Sequence, residues 1–180
     1  MQAQDAISPV READFVRVVE VWEASVRATH HFVTEADIQI FKPLVWDGLR
    51  EVPAEHLLAV RDGEGRVVGF IGVVDDEIAM LFVHPDWRGR GIGRRLLTHA
   101  VTTLGATRLD VNEQNDQALG FYRRMDFTVV GRSERDYTGK PYPLLHMRLI
   151  PNQRVKLENR SGPSGRDLPR PFTGYPNDCP

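Results

Sequence analysis

The segment Trp87-Arg88-Gly89-Arg90-Gly91-Ile92-Gly93-Arg94-Arg95 sets three alternating glycines among four arginines. It stands directly before Leu96-Leu97-Thr98-His99-Ala100-Val101-Thr102-Thr103-Leu104, which has the apolar spacing of an amphipathic helix. Glycine inside a helix costs about 1 kcal/mol relative to alanine, so such a run implies a compensating use. A helix N-terminus exposes unpaired backbone N–H groups and carries roughly half a positive charge, which makes it an anion site. Without Cβ atoms at 89, 91 and 93 a phosphate can reach those amides, and the arginines add charge-assisted hydrogen bonds. An ordinary glycine-rich turn with solvated arginines is the alternative use of the same residues.

The spacing excludes two common nucleotide sites. A dinucleotide fingerprint starting at Gly89 meets Arg94 where glycine or alanine is needed, and one starting at Gly91 meets Leu96. The phosphate loop of nucleoside triphosphatases fails too, because Gly139-Lys140 is followed by Pro141 and Glu134 stands at the first glycine position.

Elements that can hold such a site follow from periodicity. Phe15, Val18, Val19, Trp22 and Val26 repeat at helical spacing, after a short apolar segment at Ala6 to Val10. Thr34, with Asp37 three residues on, marks the start of a second helix, which Pro43 should kink or shorten. His56–Val60 and Arg66–Val74 read as strands joined through Asp62-Gly63, a hairpin signal, and Glu77–Val83 reads as a third strand. The glycine segment opens a helix that Gly105 ends. A strand at Thr107–Val111, a helix from about Asn115 to Met125, and strands near Phe127–Arg132 and Leu144–Leu149 complete a mixed α/β order. From Pro151 onward half of the twelve prolines lie among polar residues and glycines, so 1–150 reads as one domain and 151–180 as a poorly packed extension.

Composition narrows the class. A chain of 180 residues with 41% hydrophobic content can bury the core of one ordinary domain, and a net charge of −2 gives no pull toward nucleic acid or an anionic membrane. The N-terminus lacks a secretory pattern and no apolar run approaches a membrane span, so the cytoplasm is the expected compartment. The only cysteine, Cys179, allows no internal disulfide and makes a thiolate metal site improbable; no metal is expected.

The motif Arg88-x-x-Gly91-x-Gly93 after Leu81-Phe82-Val83-His84-Pro85-Asp86-Trp87 resembles the signature of the GNAT N-acetyltransferases. Val111-Asn112-Glu113-Gln114-Asn115 and the Phe121-Tyr122 pair continue the likeness in the same order. The pieces around His30, Asn115 and Tyr142 are similar to the family's YjaB-type bacterial branch, with the likeness running from about residue 5 to 150. Many members carry Gly-Phe where Asp126-Phe127 stands here; aspartate tolerates a left-handed helix end, so the turn should survive. The resemblance implies the acyl-CoA N-acyltransferase fold, a mixed central sheet of about six to seven strands flanked by about four helices, and acetyl-CoA as cosubstrate.

It also implies roles. The loop of Arg88, Gly89, Arg90, Gly91, Ile92, Gly93 and Arg94 would hold the pyrophosphate of CoA. Backbone groups of Leu81, Phe82 and Val83 would pair with its pantetheine arm where their strand splays from a neighbour, one amide facing the thioester oxygen. Tyr122 would be the general acid beside the sulfur. A phenol near pKa ~10 protonating a thiolate near ~8.5 is uphill by about 2 kcal/mol, so Tyr122 is perturbed or acts as a hydrogen-bond donor. Packing against Phe121 is its alternative use. Glu77 would draw a proton through water as base, or is a surface carboxylate. His30, His31 and Phe32 fall where the fold builds its acceptor pocket, and either histidine could titrate near neutrality. The loops 29–35 and 136–143 would shape that pocket, and aromatic walls from Trp22, Phe32 and Tyr142 would favour small acceptors over an open groove for proteins. Asn115 would touch CoA, cap its helix, or do both. The expected chemistry is direct transfer to a primary amine in a ternary complex. A catalytically weak acyl-CoA sensor and a protein lysine or N-terminal acetyltransferase are the alternatives. A homodimer is one option the sequence leaves open.

Overall fold

The computed structural model describes residues 6–150. The expectations for 151–180, Cys179 included, lie outside the described residues. Strands β1 (Ile7–Pro9), β2 (Leu57–Arg61), β3 (Val67–Val74), β4 (Glu77–Val83), β5 (Arg108–Asn112), β6 (Phe127–Ser133) and β7 (Leu144–Leu149) form one sheet in the order β1-β2-β3-β4-β5-β7-β6. Helices α1 (Phe15–Thr29), α2 (Glu35–Glu51), α3 (Ile92–Thr103) and α4 (Asp116–Arg124) cover it. This is the mixed α/β architecture the resemblance implies.

The sheet separates two cores. One face packs Trp22, Val26, Phe41, Val45 and Leu49 of α1 and α2 on Phe70, Met80 and Phe82. The other packs Leu96, Leu97 and Ala100 of α3 with Phe121 and Tyr122 of α4 on Ile71, Leu81, Val83 and Val111. Strands buried on both faces lose the simple polar alternation, which is why β3 and β4 read as continuous apolar runs.

Two local expectations are refined. Helix α2 begins where Thr34 accepts from the Asp37 N–H (3.2 Å), but it runs through Pro43 to Glu51 and is not shortened. Ile38 and Phe41 before the proline and Val45 and Leu49 after it are all buried, and that packing outweighs the ~3 kcal/mol cost of an interior proline. The β2–β3 turn is longer than a two-residue hairpin: Asp62 accepts from the N–H groups of Glu64 (3.0 Å) and Arg66 (2.9 Å), while Gly65 takes the positive φ. After α4, Asp126 occupies the left-handed region at φ 66°, as the sequence suggested.

One irregularity shapes the molecule. The β3–β4 ladder steps from Gly72↔Met80 to Val73↔Ile78, so Ala79 is an extra residue in β4. A bulge bends its strand and tends to end pairing. On the other edge, the parallel pairing of β4 with β5 comprises, among the described residues, Glu77↔Arg108 and Ile78↔Leu109. Both strands continue, to Val83 and Asn112, so the sheet opens into a wedge beyond Ile78.

Candidate active site

The wedge leads to the glycine segment. From Val83 the chain passes through a short 3-10 turn, Pro85–Trp87, in which His84 accepts from the Asp86 N–H (3.4 Å), so His84 serves the turn. The chain then enters α3 at Gly91. Gly89 and Gly91 have φ of 71° and 76°, the left-handed region that side-chain-bearing residues avoid, and a Cβ built on either meets no atom within 4 Å. Among the described residues, none accepts a hydrogen bond from the backbone N–H groups of Gly89, Arg90, Gly91, Ile92, Gly93 or Arg94. The first amide engaged in the helix is that of Arg95, which donates to the Gly91 carbonyl at 3.0 Å. A row of unsatisfied donors facing open space at a helix N-terminus suits a phosphate group.

The arginines do different things. Arg88 turns inward: its guanidinium donates to Ser25 Oγ (2.9 Å) and to the Ser25 carbonyl (3.3 Å), and Ser25 Oγ–H donates to the Val83 carbonyl (3.0 Å). This bolts the loop and the end of β4 to α1. Arg90 lies over the Trp87 ring at 4.5 Å and also donates to the Asp86 carbonyl (3.3 Å), while Arg94 is exposed. Ile92 is buried against β3, and the approach is tight: a Cβ at Gly69 would lie 2.9 Å from Ile92 Cγ2. The helix mouth is thus seated on a strand glycine.

Leu81, Phe82 and Val83 lie on β4 beyond its last pairing with β5, with side chains buried on alternate faces of the sheet. Tyr122 is fully buried on the α3–α4 face in the cluster that contains Leu81, Val83 and Val111, its ring edge-on to Phe121 (5.3 Å) and Phe127 (6.1 Å). Asn115 caps α4, its Oδ1 accepting from the Ala118 N–H (3.1 Å), while its buried Nδ2 has no partner among the described residues. The cap is therefore made, and a donor is left over.

Glu77 opens β4 at the closed end of the wedge and lines a pocket of about 200 Å³ with Arg108, Asp110, His146 and Arg148. These side chains alternate with Ile78, Leu109 and Met147, which belong to the α3–α4 core, so they project from the opposite face. There α1 and α2 cover β3 and β4, leaving the β5–β7–β6 portion as an open polar groove.

His30, His31 and Phe32 lie at the α1–α2 junction. His30 is buried and stacks near Phe32 (5.2 Å); burial, then the nearby Arg88 charge, pushes its pKa down to about 3. His30 therefore does not titrate near neutrality. His31 is exposed. Phe32 also meets Tyr142 (5.9 Å), whose hydroxyl donates to Asp37 (2.5 Å), and Lys140 pairs with Asp37 at 2.6 Å. The loops 29–35 and 136–143 are thereby latched together. Trp22 is fully buried beneath the sheet and forms no pocket wall. The sequence reading missed Ser25 and the Asp110–His146 pair. A serine on the apolar stripe between Trp22 and Val26, and polar residues of equal parity in two adjacent strands, were the available signals.

A family model for an acetyltransferase (GNAT) domain matches residues 53–129. The peptidyl-lysine N-acetyltransferase YjaB of Salmonella typhimurium is 43% identical over 137 residues, spanning 76% of this chain and 92% of that protein. YjaB of Escherichia coli K12 is 39% identical over 140 residues, 78% of this chain and 93% of its own. The solution structure of apo-form YjaB from Escherichia coli superposes with a TM-score of 0.73 at 38% identity, covering 81% of this chain and 97% of that one. At 18% identity and a TM-score of 0.61, the paiA N-acetyltransferase of Thermoplasma acidophilum in complex with coenzyme A shares the fold over 81% of this chain and 98% of its own. With its wedge, its glycine-rich helix mouth and these relatives, the chain belongs to the GNAT acetyltransferase family and is an acyltransferase of the YjaB type.

Proposed function

We propose that the protein transfers an acetyl group from acetyl-CoA to the side-chain amine of a protein lysine, by direct attack in a ternary complex. The observation that carries the reading is the continuity of the wedge between β4 and β5 with the row of unsatisfied amides from Gly89 to Arg94. The amides, with Arg90 and Arg94 beside them, hold the pyrophosphate. The opened edge of β4 at Leu81, Phe82 and Val83 takes the pantetheine arm as a strand takes a neighbour. Asn115 Nδ2 supplies one more donor. Tyr122 gives a hydrogen bond or proton to the departing thiolate, which leaves as the C–N bond forms and the C–S bond breaks.

A lysine acceptor fits the open polar groove, where Glu77 and Asp110 present carboxylates to an ammonium and no aromatic wall from Trp22 closes the space. The names of the YjaB relatives point the same way. His31 and Phe32 flank the neighbouring loop and contact the rest of the acceptor, with neutral His30 beneath them. The catalytic unit is residues 1–150, with 151–180 as an extension, and a cytoplasmic setting accords with this substrate class.

The test is turnover of the full chain with acetyl-CoA and a lysine-containing peptide, read as thiol release and peptide mass. Transfer to the lysine, reduced in kcat by about 10–100-fold in Tyr122→Phe with acetyl-CoA affinity retained, supports the reading. Absence of transfer to the peptide, with transfer to small amines instead, refutes the lysine assignment.

A further inference from the structure

An enzyme that acetylates protein lysines meets the lysines of its own chain first, and this chain has three among its 23 basic side chains: Lys42, Lys140 and Lys156. Two of them are committed to the fold. Lys42 pairs with Glu23 at 2.6 Å between α2 and α1, and Lys140 pairs with Asp37 at 2.6 Å in the latch that joins the loops 29–35 and 136–143. The hydrogen bond to the Asp37 carboxylate also raises the Lys140 pKa, which keeps that side chain an ammonium with no lone pair for attack. Lys156 stands six residues past Ile150, in the stretch Arg154-Val155-Lys156-Leu157.

Strand register fixes where that stretch begins. Arg148 of β7 pairs with Arg108 of β5, and Arg108 pairs with Glu77 of β4. These three residues line one end of the open polar groove, while Asp110 and His146 line it two residues further on, just beyond the fork of the wedge at Leu109. The chain therefore leaves β7 at the outer end of the groove that an acceptor lysine would use, two strands from β4.

The reach follows from strand dimensions. From Ile150 back to His146, which marks the level of Asp110, is four residues or about 14 Å, and β5 lies about 5 Å to the side. The straight line from Ile150 to the wedge just past its fork is then about 15–17 Å. Six residues span up to about 20 Å when extended, and a lysine side chain adds roughly 6 Å. Lys156 Nζ thus reaches the thioester position from its own chain, with length to spare for doubling back. Charge favours the approach. The groove presents the carboxylates of Glu77 and Asp110; of its arginines, Arg108 is neutralised by Asp76 at 2.5 Å and Arg148 is exposed at the outer end. Residues 151–160 bring Arg154, Lys156 and Arg160 against a single acid, Glu158.

We propose that Lys156 is a substrate of its own active site, acetylated in cis through the polar groove. This rests on the lysine acetyltransferase reading above and adds a modification site to the chain. The Lys156 ammonium gives one proton to water, and its neutral Nζ attacks the thioester carbon. The N–C bond forms as the C–S bond breaks, and the second N–H proton ends on the departing thiolate, leaving acetyl-Lys156 and free CoA. A tether of this length holds the lysine at an effective concentration on the order of millimolar, so it precedes dilute external acceptors. Acetylation removes the charge that draws the stretch to Glu77 and Asp110, and the groove is released to them.

The test incubates the full chain with acetyl-CoA alone, over a wide range of enzyme concentration, and locates acetyl groups by mass spectrometry of the digest. Lys156 should gain one acetyl group at a first-order rate independent of enzyme concentration. Excess CoA should slow it to the same degree as transfer to a lysine-containing peptide, with Lys42 and Lys140 unmodified over the same interval. Lys156→Arg should lose the modification and keep the wild-type kcat on the peptide. A rate proportional to enzyme concentration overturns the cis assignment, and a rate that excess CoA leaves unchanged marks uncatalysed acetylation and overturns it too. Loss of peptide turnover in Lys156→Arg makes Lys156 part of the catalytic unit instead of its substrate. An unmodified Lys156 in an enzyme that acetylates the peptide overturns this inference and leaves the lysine reading intact, whereas failure on both substrates overturns that reading and this inference with it.

Discussion

Replacing Gly91 by alanine separates the fold's need for glycine from the ligand's. In the free protein a Cβ at this position meets nothing within 4 Å, so the substitution brings no clash. What it brings is a left-handed φ of 76° for an L-residue with a Cβ, a cost of roughly 1–2 kcal/mol. For a domain of this size that lowers Tm by about 2–8 °C. The effect on binding is larger, because the new methyl group fills the space through which a phosphate reaches the amides of Gly91, Ile92 and Gly93. Losing two hydrogen bonds to a charged group at about 1.5 kcal/mol each removes ~3 kcal/mol, or roughly 100-fold in Kd. Gly91→Asn sharpens the comparison, since asparagine tolerates the left-handed region yet still carries a Cβ. Its Tm should recover while its affinity does not. Thermal melting and calorimetric titration with CoA give the two quantities. If both variants bind CoA within about twofold of the wild type, the helix mouth does not hold the pyrophosphate.

Three other perturbations follow from the geometry. His30 is neutral in the fold, with its pKa near 3, whereas the unfolded chain binds a proton below about pH 6.5. Its contribution is therefore intact above that pH and is lost as pH falls, at up to ~1.4 kcal/mol per unit; urea denaturation at pH 7 and pH 5 should show a steeper loss for the wild type than for His30→Gln, by at most about 2 kcal/mol. Hydrogen bonds from Lys140 and then Tyr142 hold the Asp37 carboxyl below its usual range. The latch is thus present above about pH 4 and fades as pH falls further, so the Tm deficit of Asp37→Asn should be clear at pH 7 and shrink on acidification. Gly69→Ala forces a methyl to 2.9 Å from Ile92 Cγ2 and 3.2 Å from Val83 Cγ2. Overpacking of this kind costs about 1–3 kcal/mol, and because Ile92 seats the helix mouth, CoA affinity should fall with it in the same titration.

Much of this protein was legible from the chain itself. Periodicity located α1 and α3, the Thr34 start signal located α2, and the main strands stood out as apolar runs between turn signals, because spacing, capping and turn chemistry are local properties. Thr34, Gly105 and Asp126 act as the local boundary signals they resemble. The glycine run was readable as a Cβ-free helix mouth, whereas the positive φ that Gly89 and Gly91 adopt is a finding of the structure.

Tertiary structure decided the rest. The wedge depends on a bulge at Ala79 that only the paired strand β3 defines, and no feature of Glu77–Val83 alone announces it. Arg88 belongs to the motif by sequence, yet packing turned its side chain onto Ser25, 63 residues away. The neutral state of His30 comes from burial and from Arg88, and Pro43 stays inside α2 because both its flanks are buried. Asp110, Ser133 and His146 are brought together by strand register alone. Local sequence specifies which conformation each residue prefers, whereas the distance between residues far apart in the chain, and with it solvation and proton affinity, exists only once the sheet has closed them on one another.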